Sequence, residues 1–85
     1  MRKKVLNIIT DNWPVSVSEV ARKLGLMNHK SHPKIKQAAI SRVAYHFKQL
    51  EKLEKIKTKR IGKATIAWPI DIEKLRMVYE LIKVD

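Results

Sequence analysis

The stretch PKIKQAAISRVAYHFKQLEKL, Pro33 to Leu53, decides how the rest of the chain is read. At about 100° per residue, Ile35, Ala39, Val43, Phe47 and Leu50 fall on one stripe, the pattern of an amphipathic helix with a single buried face. The opposite stripe carries Lys34, Gln37, Ser41, Tyr45, Lys48 and Lys52, with Arg42 on its shoulder. No carboxylate joins it before Glu51 and Glu54, at its far end. At about 1.5 Å per residue the helix would be roughly 30 Å long. A rod of that length, buried on one side and cationic on the other, suits a DNA groove.

The charge around this stretch points the same way. The 85 residues include 19 Lys and Arg against 8 Asp and Glu, a formal net charge of +11. From Arg22 to Lys63 thirteen bases stand against only Glu51 and Glu54, so that segment by itself carries +11. From Asp71 to Asp85 four acids meet three bases. A uniformly solvated surface does not segregate in this way, although a lysine-rich thermophilic one approaches it. A basic centre beside a near-neutral end favours a polyanionic partner.

The same numbers set the class. A chain of this length makes one small domain, and 45% hydrophobic residues support a packed core rather than disorder. Without cysteine there is no disulfide and no thiolate metal site, which is compatible with a reducing compartment. No apolar run approaches the ~20 residues of a membrane span. The start, MRKKVLNIITDNW, is basic and then apolar, but Asn7 and Thr10 interrupt it and no small-residue cleavage site follows. A cytoplasmic, nucleoid-associated protein is expected.

Reading outward, residues 2–11 fit a short helix with Val5, Leu6, Ile8 and Ile9 on a broad apolar face. Trp13-Pro14 ends it, because the residue before a proline is pushed away from helical angles. Ser16 and Glu19 have the spacing of a capping box, with Val15 and Val20 placed to close over it as a hydrophobic staple. That second helix presents Val17, Val20, Ala21 and Leu24 inward and stops at Gly25. Residues 26–32 form a connector in which Asn28, Ser31 or His32 can cap the long helix, and Pro33 suits its first turn. After Glu54 the period falls from 3.6 to 2. Ile56, Thr58 and Arg60 alternate with Lys55, Lys57 and Lys59, Gly62 turns the chain, and Ala64 to Trp68 return. This is a β-hairpin with a basic tip at Lys59 to Lys63. Asp71 is expected to cap a last helix with Ile72, Leu75, Val78, Tyr79, Leu81 and Ile82 on its apolar face.

The expected fold is therefore mainly α with a small β-hairpin, a single domain over residues 1–85. Its order resembles a winged helix-turn-helix domain. VSVSEVARKLGL (15–26) resembles the helix before a recognition helix, AISRVAYHFKQLEKLEKI (39–56) the recognition helix running into the first wing strand, and RIGKATIAW (60–68) the wing tip and second strand. The chain is similar to ArsR-like and MarR-like regulators and to small winged-helix proteins of archaea and their viruses. It departs from them in a longer connector after Gly25 and in having Glu54 and Lys55 where a glycine commonly follows the recognition helix.

The resemblance implies double-stranded DNA as partner and transcriptional regulation as role, and nothing in the residues themselves points to a cofactor or a small-molecule ligand. Lys34, Gln37, Ser41, Arg42, Tyr45 and Lys48 would make the DNA-contacting face of the long helix, with Arg42 suited to guanine, Gln37 to adenine, and Ser41, Tyr45 and Lys34 to phosphate or sugar. Lys57, Lys59, Arg60 and Lys63 on the hairpin would reach flanking phosphates or a minor groove, Arg60 being the residue suited to insertion. Arg22 and Lys23 could touch the backbone. The plainer alternatives are a solvated helix face and a lysine-guarded edge strand. Leu75, Val78, Tyr79 and Ile82 exceed what one small core needs, so a homodimer seam is expected there. His29, His32 and His46 lack nearby acids or a cysteine, and no metal is expected. There is no phosphate loop, nucleophile elbow or carboxylate pair beside a histidine, which argues against an enzyme. Few aromatics remain for stacking, which disfavours RNA. Two rival roles share the fold: a protein–protein module of transcription or replication machinery, and a non-specific architectural DNA-binding protein.

Overall fold

Local side-chain chemistry sets where the helices begin and end. The computed structural model describes residues 1–72. In chain order these form α1 (Arg2–Asn12), β1 (Val15–Ser16), α2 (Val17–Lys23), α3 (Pro33–Lys52), β2 (Ile56–Ile61) and β3 (Ala64–Pro69), and residues 70–72 are helical again. The expected dimer-seam residues Leu75, Val78, Tyr79 and Ile82 lie outside the described residues. Asp71 is not a cap: it sits in a helical turn already begun at Ile70, whose N–H donates to the Lys55 carbonyl at 3.1 Å.

Trp13 leaves α1 with φ −55° and ψ 146°, the extended angles that a following proline imposes. The Ser16 hydroxyl accepts the Glu19 N–H at 3.1 Å, half of the expected capping box. The return half differs. Glu19 accepts the Ser16 hydroxyl proton at 3.3 Å rather than the Ser16 amide, and Ser16 is also the last residue of strand β1. Val15 and Val20, the staple pair, are both buried.

Helices α2 and α3 end in the same way. After α2, Gly25 at φ +74° donates to the Arg22 carbonyl and Leu26 to that of Ala21, the two bonds of a Schellman motif. After α3, Glu54 at φ +58° donates to Glu51 and Lys55 donates to Leu50. Glu54 thus occupies the left-handed position a glycine would ordinarily fill. The connector before α3 is closed by Asn28, whose side-chain oxygen accepts the Lys30 N–H, and by Ser31, whose hydroxyl accepts the Asn28 N–H. His32 is the cap of α3, its Nδ1 accepting the Lys34 N–H at 3.1 Å.

The core joins all three helices to the sheet. Val5 and Ile9 of α1, Val17, Val20 and Ala21 of α2, and Ala39, Val43, Phe47 and Leu50 of α3 meet Val15, Met27, Ile56 and Ala67. Burying one large aliphatic side chain contributes about 1.5–3 kcal/mol. Ile35 does not belong to this stripe, because it is 53% exposed. The core starts one turn later, at Ala39, and Ile35 reaches only a shallow hollow shared with Leu26.

The β structure is larger than a hairpin. It is a three-stranded antiparallel sheet in the order β1-β3-β2. Val15 and Ser16 pair with Ala67 and Ile66, while β2 and β3 pair from Ile56↔Pro69 to Ile61↔Ala64. The chain is thus a small α/β domain. Among the described residues no helix is long and apolar enough to cross a membrane.

Candidate nucleic-acid interface

The burial of α3 fixes which of its side chains face outward. With Ala39, Val43, Phe47 and Leu50 in the core, Lys34, Gln37, Ser41, Arg42, Tyr45 and Lys48 are all exposed. Among the described residues, the side chains of Gln37, Ser41 and Arg42 have no hydrogen-bond partner, so their donors and acceptors are open to a ligand. Lys57, Lys59, Arg60 and Lys63 of the hairpin are exposed too.

The structure brings part of α3 and part of the hairpin together. A hollow of about 290 Å³ is lined by Ser16 and Ser18 at the start of α2, Ile40 and Ala44 of α3, and Arg60 and Lys63 of the hairpin tip. A second hollow of about 170 Å³ lies between Ala44, Lys48 and Glu51 of α3 and Thr58 and Thr65 of the strands. Both include Val17, Ala44 and Thr65, so they form one furrow between the long helix and the hairpin. The Thr58 hydroxyl donates to the Glu51 carboxylate across this furrow, pinning the hairpin to the last turn of α3. Glu51 is one of only two acids in the basic segment, and this bond occupies it.

Other candidates sit elsewhere. Arg42 lines the hollow on the opposite flank of α3, about 200 Å³ in volume, with Leu26, Ile35 and Ala38. Lys23 faces a hollow between α1 and α2, beside Lys4 and Asn7, and is not brought into the furrow. On the hairpin, strand alternation puts Arg60 on the face that carries Ile56 and Thr58, and puts Lys57 and Lys59 on the other. Ser18, Ile40 and Thr65 line the furrow without having been singled out in the sequence. The i, i+4, i+8 spacing of Ile40, Ala44 and Lys48 marks a second stripe on α3 that could have revealed them.

The three histidines sit in different settings. His32 caps α3, and the His29 carbonyl accepts a hydrogen bond from Lys36 Nζ at 3.1 Å. His46 is half-buried and packs edge-on against Tyr45, with ring centroids 5.5 Å apart. Its Nδ1 is enclosed with no hydrogen-bond partner. Burial lowers its pKa from the ordinary 6.5, and the positive N-terminus, Arg2 and Arg42 lower it further. Among the described residues no three ligand-type side chains gather to hold a metal ion.

Compared with protein-family models, with curated proteins and with solved structures, the chain matches none.

Proposed function

We propose that this chain is a winged helix-turn-helix domain that binds double-stranded DNA without enzymatic activity. More particularly, it is a sequence-specific regulator of transcription that lays α3 in the major groove and sets the β2–β3 hairpin on flanking backbone or the adjacent minor groove. The observation that carries this reading is the furrow. Arg60 and Lys63 of the hairpin and Lys48 of α3 border one channel, on a helix whose outward face is otherwise Lys34, Gln37, Ser41 and Tyr45. Cations at the channel edge neutralise phosphates and release condensed counterions, which supplies affinity. Gln37 and Arg42, with open side-chain hydrogen-bonding groups, read base edges, which supplies specificity.

Fluorescence anisotropy on a labelled duplex across a salt series tests the mechanism. Six phosphate contacts predict a slope of log K against log salt of about −5. A slope near zero overturns it. Selection from a random duplex pool then tests specificity, since a regulator separates its chosen site from random duplex by about 10³ or more. A gap near unity assigns the protein to architectural DNA binding. Negligible duplex affinity beside tight binding to an acidic protein assigns it to a protein–protein module.

A further inference from the structure

Ile61 is 59% exposed, the highest value among the exposed large apolar side chains of the described residues. It is the last residue of β2 and faces Ala64 across the two-residue turn Gly62–Lys63. Gly62 has φ +60° and Lys63 is not left-handed, the pattern of a type II′ hairpin that keeps the tip narrow. The last buried strand residue toward this tip is Ala67, paired with Thr58. Ile61 therefore stands three pairs further out, roughly 10 Å beyond the core at about 3.3 Å per residue. Its sequence neighbours are Lys59, Arg60 and Lys63, all exposed.

Exposed edge strands are commonly guarded by charged side chains, and Ile61 interrupts such a run between Arg60 and Lys63. A stiff β-branched side chain opposite a bare methyl, with Lys59 on its own strand face and Arg60 and Lys63 close to it in sequence, has the shape and charge of an intercalating wedge. The minor groove is about 6 Å wide and bordered by phosphates on both sides. Apolar side chains that enter it between base pairs partly unstack a step and kink the duplex. We propose that Ile61 is such a wedge: it inserts at one base step in the minor groove while Lys59, Arg60 and Lys63 hold the phosphates on either side. The proposal rests on the duplex-binding reading above and adds DNA bending to it.

The test uses the full chain and a duplex of about 30 base pairs, dye-labelled at both ends, with a deformable TA step at its centre and aminopurine beside it. Wild type, Ile61→Ala and Ile61→Thr are compared at low salt. The threonine variant keeps the β-branch, so loss of strand propensity cannot mimic loss of the wedge. Wild-type protein is expected to shorten the end-to-end distance, in line with a kink of about 20–90°, and to brighten the aminopurine. Both variants are expected to bind within about tenfold of wild type and to leave the duplex straight and stacked. A mismatched central step, already partly unstacked, is expected to bind wild type several-fold tighter and the variants no tighter. Duplex binding with no bend, or with a bend unchanged in Ile61→Ala, overturns the wedge and leaves the DNA-binding reading intact. Absence of wild-type duplex binding overturns both.

Discussion

Glu54 holds φ +58° at the end of α3, where its Cβ crowds the next carbonyl. Replacing it with glycine removes that crowding at a position whose hydrogen bonds are made by the backbone alone. Glu54→Gly is expected to stabilise the fold by up to about 1 kcal/mol, read as a rise in melting temperature of several degrees. Glu54→Gln keeps the Cβ and is expected to leave the melting temperature near wild type. His46 gives a second prediction at this scale. Its folded pKa lies below 6.5, so between the two values the unfolded chain binds more protons than the folded one. Its contribution is complete above pH 6.5 and is lost as pH falls from there toward the depressed folded value. Denaturant unfolding of His46→Gln over this window is expected to show a flatter pH profile than wild type. On the proposed duplex-binding reading, Arg42 and Lys57 test base reading and phosphate holding separately. Arg42→Ala is expected to relax sequence preference at one position by about 1–3 kcal/mol, whereas Lys57→Ala lowers the salt slope by about 1 for every sequence.

Helix ends were legible in the sequence wherever a side chain speaks to the backbone. Ser16 with Glu19, Pro33, Gly25 and Trp13-Pro14 each marked a boundary by a local bond or clash, and the observed ends follow them. What was not legible had no local signature. Strand β1 has two residues and thus no period, and it exists only because β3 runs beside it. The left-handed end of α3 lacks its usual glycine. Ile35 has the right phase for burial, but phase reports the direction a side chain takes and not whether another element covers it. The outward face of α3 was legible for the same reason its core face was, and the furrow was not, since it needs Ser18, Ile40 and Thr65 from three elements. Two measurements belong to this scale. Ser16→Ala is expected to cost about 1 kcal/mol through loss of the α2 cap. Phe47→Ala, in a domain with one small core, is expected to cost about 3–5 kcal/mol and to leave much of the chain unfolded at room temperature.

A net charge of +11 on 85 residues acts on the whole molecule in two opposed ways. Self-repulsion destabilises the free protein, so added salt is expected to raise its melting temperature, while the same salt weakens a duplex complex. Parallel melting and binding series check the sign of each. If two copies associate as the apolar C-terminal sequence suggests, their α3 helices would address half-sites about 34–36 Å apart, which footprinting on a selected site would reveal. Ser16 ties these scales together. It is at once the cap of α2 and the residue of β1 that pairs with Ile66, so hairpin and helix share one fastening. A load placed on the hairpin by a bound ligand is expected to reach the opening turn of α2 through that shared residue. The amide of Glu19 should report that load as altered deuterium uptake, at a distance from the hairpin tip itself.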